Sequence, residues 1–531
     1  MTIDWKEFNN ETVTKTHGKV HFYRDLYEGN HSQLFSRAKR LIEKGEITDE
    51  IIYGTHESQN VQTPYIIANV SKLIPEIPAM LVSRSIGNIQ TSLSSDDYDS
   101  EDDTRAEDEN YENLTTQQEA IRDIESNSHL EFEHWGNIVQ QQVDGGLVGV
   151  PWLDDKGLRL EFKARDVYYP HPDGMGVDLA YTVEINDKDY LQVYRERLEE
   201  KDGEKGLKAS HMLFEHNKSG KTESLEEDET KELLNMDELE TFYPNRERFF
   251  IVYWPNEKTF MNPLGVSCLK NQEGKQDEIN WTLTRNALTF ERNGKPRIAV
   301  STAVMNALQD KAQERYGDDS RIDHRDLEIT PFDENGKAME IIQIDVTKIG
   351  DVTWVKDLMK LMLMETKTSE KAVDFYLSSG GTSSQSGVAK FYDLFTSLLK
   401  SEQLQKEYIY FLKQLIESAL WLANDNDSNI RIEQPEISLK AMIPISRREL
   451  LEENSMAYGR GTQSLEATVR RSNPHASEEW IQEEISRIEA ESTSDDSTSL
   501  AFGRQTLNNF LDNRMGGNNN DEQNDDDEER S

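Results

Sequence analysis

The chain has 531 residues, one cysteine (Cys268) and a formal net charge of −42, which is length enough for several packed regions. Two acid runs, residues 96–109 and 521–530, concentrate negative charge, yet setting both aside still leaves −28. That balance argues against a conventional protein that grips duplex DNA, since phosphate affinity comes from Lys and Arg displacing counterions, and a single cysteine excludes an intrachain disulfide or a Cys-based zinc site. The one cysteine is in keeping with a reducing compartment. The start, "MTIDWKEFNNETV", has neither the basic nor the apolar part of a signal peptide. No apolar run reaches the length of a membrane span.

In chain order, residues 19–53 read as helices, with Phe22, Leu26 and Tyr27 on one face and Leu34, Ala38 and Leu41 repeating the spacing. The stretch 63–84 is the most apolar of the early chain, and Pro75 and Pro78 predict a buried helix that ends or kinks there. Residues 94–109 read as a solvated, disordered acidic insertion, without the spaced ligands and glycine of a calcium loop. Residues 115–143 predict one long helix. His129 and His134, five apart, do not share a face and read as ordinary polar residues. From 145 to 265 short alternating segments separated by Gly, Pro and Asp predict a β-rich region. The Lys/Glu-rich residues 196–240 read as a helix or loop excursion from it.

Residues 266–292 predict a polar helix with one narrow apolar stripe, Ile279, Leu283, Ala287 and Phe290. So thin a stripe does not suit a core helix and asks for neighbours sharing a narrow seam. A small α/β unit follows over 293–345, then a Leu- and Met-rich helix over 346–374 carrying Val355, Leu358 and Met362. The loop "SSGGTSSQSG" (378–387) lacks P-loop spacing: Gly381 and Gly387 have five residues between them where a P-loop has four, and Lys390 comes too late to reach a phosphate. Residues 388–425 contain no Gly or Pro and predict the longest helix, on the order of 55 Å at ~1.5 Å per residue. A strand pair within 429–446 closes this part. Residues 446–492 read as helix, Gly turn, helix, Pro, helix, and 492–531 as a mostly disordered acidic tail.

The succession of "YRDLYEGNH", "NVSKLIPEIPAMLV", "GLRLEFKARDVYYPHPDG", "SGVAKFYDLF" and "GRGTQSLEATVRRSNPHASEEWIQEEISRIEAE" resembles the portal proteins of tailed double-stranded DNA bacteriophages, in particular the family of phages of Gram-positive hosts. The resemblance covers about 20–490 and contains no catalytic fingerprint. It implies an α+β portal fold with wing, stem, clip and crown, long helices around a central channel, and a ring, usually of twelve subunits.

On that pattern 1–93 is the N-terminal helical part of the wing and 94–112 an acidic insertion foreign to the family core. Residues 113–265 are the helix plus β-rich wing, 266–292 the first stem helix, 293–345 the clip and 346–374 the second stem helix. The tunnel loop is 375–387, the long wing helix with closing strands 388–445, the crown 446–492 and the acidic tail 493–531.

The resemblance further implies that the loop residues Ser378, Ser379, Gly380, Gly381, Thr382, Ser383, Ser384, Gln385, Ser386 and Gly387 touch passing DNA weakly. Ile279, Leu283, Ala287, Phe290, Val355, Leu358 and Met362 would form a subunit seam, making the helix pair stable only when copies line up around a hole. Lys295, Arg297, Lys311 and Arg315 are candidate docking contacts of the clip, although ordinary solvated charge is the favoured reading of them. The implied partners are further copies of the chain, double-stranded DNA, the terminase large subunit, a head-completion (adaptor) protein, and major capsid and scaffolding proteins. The implied place is a capsid vertex of the virion, assembled in the host cytoplasm, with no membrane. No catalytic set, metal cluster or cofactor motif is legible, so the chain reads as no enzyme. The alternatives are a nucleotide-dependent enzyme or nuclease using the Gly/Ser loop, or another acidic virion or scaffold protein.

Overall fold

The computed structural model describes residues 3, 5–49, 63–94, 107–154, 157–201, 203–216, 222–293, 297–300, 302–317, 339–342, 352–371, 387–443, 447–473, 476 and 478–494. The chain is of mixed α and β structure and divides into two compact units, Met1–Met442 and Ile443–Ser531.

The larger unit is organised around the helix Gly387–Asn426, 40 residues long, or about 60 Å at ~1.5 Å per residue. Its buried side chains, from Leu404 and Tyr408 through Phe411, Leu412, Leu415 and Ile416 to Ala419 and Leu420, form the middle of the main core. Against them lies a three-stranded antiparallel sheet in the order Val252–Pro255, Gly146–Asp154, Gly157–Ala164. Trp254 packs on Tyr408 and Phe411 at 5.1 and 5.6 Å between ring centroids. Gly149 lets the sheet come close, because a Cβ there would sit 2.7–2.8 Å from Leu415 and Phe411 side-chain atoms.

A second, six-stranded antiparallel sheet runs Thr222–Ser224, Glu204–His216, Lys188–Lys201, Gly176–Ile185, Tyr168–Pro170, with Glu240–Pro244 also paired to Glu204–His216. This corrects the expected excursion over 196–240. Much of it is the far half of a long hairpin, in which Leu191 and Val193 are buried while the Lys- and Glu-rich end stands in solvent. Among the described residues there, only Glu227–Leu234 is helical.

Three other expectations change. Pro75 and Pro78 do not end a helix: Leu73–Ser85 begins just before them. Pro75 lies in the first turn, where an N–H has no intrahelical acceptor, and burial of Ile74, Ile77, Ala79 and Val82 carries the helix past Pro78. The long helix over 115–143 is two helices, Glu107–Asn127 and Leu130–Asp144, broken at His129 with φ 49°. The closing strand Glu436–Leu439 pairs with Ile86–Gln90, not with its sequence neighbour.

Of the acidic insertion, residues 95–106 lie outside the described residues, and 107–112 are helical. Its flanks are tied to one carboxylate. Glu433 accepts from Thr91 Oγ1 (2.6 Å), the Ser92 N–H and Oγ (both 2.6 Å) and Gln117 Nε2 (2.7 Å).

In the smaller unit, helices Arg447–Gly459, Leu465–Ser472 and Glu478–Ser494 follow one another. Ser464 caps the second through the Ala467 N–H, and Asn454 Nδ2 donates to Ser472 Oγ at 2.9 Å, tying the first helix to the second. Residues 495–531 lie outside the described residues.

Candidate functional site

The residues singled out by sequence gather on two helices, Glu273–Asn293 and Val352–Glu365, and on the segments they carry. The two pack on each other, and their bases are joined by Glu365, which accepts from Lys275 Nζ (2.7 Å) and Gln272 Nε2 (3.0 Å).

The narrow stripe does not wait for a neighbouring copy. Ile279, Val355, Leu358 and Met362 are all buried in one core with Leu26, Phe35, Ile74 and Leu269 of the same chain, and Leu283 packs against that core. Ala287 is half-buried and Phe290 is 51% exposed. The expectation that this helix pair is stable only between copies is therefore corrected for its lower part.

The reason is a second stripe that composition hides. Gln276, Asn280 and Thr284, at i, i+4 and i+8, share one face and are themselves buried. They hold the extended strap 66–71 by its backbone. Thr284 Oγ1 accepts the Ile66 N–H (2.9 Å), Asn280 Oδ1 the Ala68 N–H (3.1 Å) and Gln276 Oε1 the Ser71 N–H (3.0 Å). Gln276 Nε2 donates to the Ala68 carbonyl at 2.7 Å. Asn280 Nδ2 donates to His31 Nδ1 (2.8 Å), leaving His31 Nε2–H to donate to the Leu26 carbonyl (2.9 Å). Burial pushes the His31 pKa down, which suits this neutral tautomer. Buried polar groups paired in this way avoid the desolvation penalty.

Beyond the pair, Arg297–Val300 and Met339–Ile342 form an antiparallel ladder from Arg297↔Ile342 to Val300↔Met339, with the helix Thr302–Tyr316 between them in sequence. Lys311 and Arg315 are exposed on that helix, Arg297 opens the first strand, and Lys295 lies outside the described residues.

Of the Gly/Ser loop, Ser378–Ser386 lie outside the described residues and Gly387 is the first residue of the long helix. The flanks are held. Ser397 Oγ accepts the Ser369 N–H (2.7 Å), Lys400 Nζ donates to the Thr366 carbonyl (3.2 Å), and Leu363 packs with Ile77 and Leu394.

The ionisable clusters elsewhere are occupied with one another. Arg24 binds both Asp144 (2.8 and 2.7 Å) and Asp166 (3.0 and 2.9 Å). Asp178 accepts from Trp5 Nε1 (2.9 Å) and from Arg195 (2.7 and 2.9 Å). Glu196, fully buried, accepts from Tyr194 Oη (2.8 Å) and the N–H groups of Phe250 (2.9 Å) and Ile251 (3.2 Å), and burial pushes its pKa up to about 7. Burial likewise pushes the Cys268 thiol up to about 12, far from a thiolate nucleophile. Among the described residues no group of three or more His, Cys, Asp or Glu is placed to hold a metal ion, and no helix is long and apolar enough to cross a membrane.

No family model and no curated protein matches this chain.

Proposed function

We propose that this chain is a portal protein of a tailed double-stranded DNA bacteriophage, one subunit of a ring through which the genome is packaged and ejected. The observation that carries this reading is the order of parts. A mixed α/β body sends out the helix Glu273–Asn293, and a small strand–helix–strand element follows. The helix Val352–Glu365 returns, a 40-residue helix through the body core comes next among the described elements, and a three-helix unit ends the described chain. On this reading those parts are wing, stem, clip, tunnel loop, wing helix and crown.

The net charge of −42 fits a conduit. An acidic wall gives phosphates no deep wells, so DNA moves in either direction without stalling. The uncharged loop Ser378–Gly387 then makes weak, replaceable contacts with the passing duplex. The clip docks the terminase and later the head-completion protein, and a separate ATPase supplies the work. Because the lower stem is satisfied within one chain, contacts between copies belong to the exposed upper stem, the clip and the wing.

Light scattering and negative-stain imaging of the purified chain test the reading. The expected particle is a ring with a central hole and a mass near twelve times 61.2 kDa. A single-subunit mass over the micromolar range, with or without scaffolding protein, overturns it, as does ATP hydrolysis by the chain alone.

A further inference from the structure

The first residues of the chain lie as an arm on one face of the six-stranded sheet. Trp5–Glu7 is a 3-10 turn and Asn10–His17 a helix. Among the described side chains of residues 5–17 only Trp5 and His17 are buried, each 4% exposed. Both rest on one buried ring, Tyr169 of the edge strand Tyr168–Pro170. Trp5 meets it edge-on at 5.2 Å between ring centroids and His17 at 4.8 Å, with Phe8 also edge-on at 6.0 Å.

The two ends of the arm are held differently. At the first, Trp5 Nε1 donates to Asp178 Oδ2 (2.9 Å), the Trp5 carbonyl accepts from Thr222 Oγ1, and the indole packs with Ala180, Leu191, Val193 and Phe214. At the second, neither ring nitrogen of His17 has a hydrogen-bond partner among the described residues. His17 is the one buried side chain described in its helix, so an imidazole without a polar bond fastens that helix. Such a ring is held neutral, because an imidazolium brings two N–H donors and a charge that the site does not satisfy. Behind it comes Gly18, exposed, at φ +70° and ψ −135°, where an added Cβ would meet nothing within 4 Å. That backbone conformation suits glycine, and the open space leaves the joint room to turn.

The groups around His17 work against a positive charge there. Arg165 and Asp166 face it from the turn Arg165–Val167, Arg24 from the helix Val20–Glu28 and Tyr169 from the edge strand. Asp166 favours an imidazolium, but Arg24 already holds that carboxylate at 3.0 and 2.9 Å, as it holds Asp144 at 2.8 and 2.7 Å. His21, exposed, stands 3.8 Å from Asp166. Burial first, and then the Arg165 guanidinium, hold His17 down to about 3. Out of the fold an imidazole takes its proton near pH 6.5. The released arm therefore binds a proton that the closed arm refuses. Closure is at full strength above about pH 6.5 and weakens as the pH falls toward 3.

We infer that residues 5–17 form an acid-releasable clasp: protonation of His17 drives the arm off the sheet as one unit, about the Gly18 joint, while the body beneath keeps its fold. Trp5 anchors the outer end and sets how tightly the clasp closes at neutral pH. Release uncovers Tyr169 and the apolar side chains of Ala180, Leu191, Val193 and Phe214. An eight-residue helix does not persist alone in water, so Asn10–His17 melts when the arm leaves. The device belongs to a single chain and does not depend on the ring reading.

Hydrogen exchange of the full chain tests it, with protection expressed against each amide's unstructured rate at the same pH. A proton affinity moving from about 3 in the closed arm to about 6.5 in the released one raises the opening equilibrium roughly 70-fold between pH 7 and pH 4.5. Protection over the helix Asn10–His17 should fall by about that factor, its amides together. It should stay at least about tenfold below that of Tyr408–Leu420 at both pH values, since that core opens only with the whole fold. His17→Phe and His17→Leu cannot take the proton, so their arms should change less than about fivefold between the two pH values, however tightly each closes at pH 7. A parent arm that falls less than about fivefold overturns the inference. So does a fall of parental size in either variant, and so does arm protection equal to that of the core, because the arm then opens only when everything does.

Discussion

Asn280→Ala is the sharpest test of why the helix Glu273–Asn293 folds onto the body. Asn280 is fully buried and holds two groups that nothing else is seen to satisfy, the Ala68 N–H at 3.1 Å and His31 Nδ1 at 2.8 Å. Its third partner, Gln276 Nε2, keeps the Ala68 carbonyl at 2.7 Å. Orphaning a buried polar group costs about 1–3 kcal/mol, so the two together put the expected loss at about 2–6 kcal/mol. A loss of about 3 kcal/mol, in the lower half of that range, raises the opening equilibrium of the strap roughly a hundredfold.

Hydrogen exchange followed by mass spectrometry reads that opening in peptides covering 66–71, with peptides from the Tyr408–Leu420 core as internal control. Asn280→Asp makes a second check. It keeps the acceptor for Ala68 but sets a carboxylate against the unprotonated nitrogen of His31, so protection should return as the pH falls and His31 takes a proton. An Asn280→Ala variant whose strap exchanges less than about fivefold faster than the parent refutes the reasoning. The strap would then be held by its apolar contacts, and the polar ladder would be incidental.

Buried histidines give an acid limb of stability. Burial lowers His17 to about 3 and His134 to about 4. The unfolded chain therefore takes these protons first as the pH falls below about 6.5, and each histidine removes about 2–3 kcal/mol by pH 4.5; urea titrations of His17→Phe and His134→Gln should show a shallower acid limb. Glu196 works in the opposite sense. With its pKa raised to about 7, it is protonated in the fold where the unfolded carboxyl has ionised, so its contribution is present at acid pH and about 3 kcal/mol is lost as the pH rises from about 4.5 through 7. Glu196→Gln should flatten that limb in the same titration. Gly265→Ala places a Cβ in a left-handed conformation and 2.2 Å from the Gly145 oxygen. A loss of more than about 1 kcal/mol is expected, with faster proteolysis at the exposed Phe260 in the turn Thr259–Asn262; a parent-like urea midpoint would show that the backbone around Gly265 is looser than its hydrogen bonds indicate.

Local signals were enough for the parts of this chain that need only themselves. An unbroken run from 388 to 425 without Gly or Pro determines a long helix, and Ser464 and the glycine turn before it divide the last helices. Alternation and turn residues likewise announce the strands between 145 and 265. Tertiary structure decided what depends on a distant partner. His129 breaks a continuous helical pattern where Ser128 Oγ accepts the Leu160 N–H at 2.7 Å, thirty-two residues away in sequence. The charged stretch after Leu191 is strand because Lys188–Lys201 finds a full-length antiparallel partner in Glu204–His216. Gln276, Asn280 and Thr284 look like a solvated face until the strap at 66–71, more than 200 residues earlier, brings its unpaired N–H groups to them. A polar side chain carries no mark of whether water or a backbone will satisfy it. Sequence determines the capacity to bond, and only the folded chain decides which partner arrives.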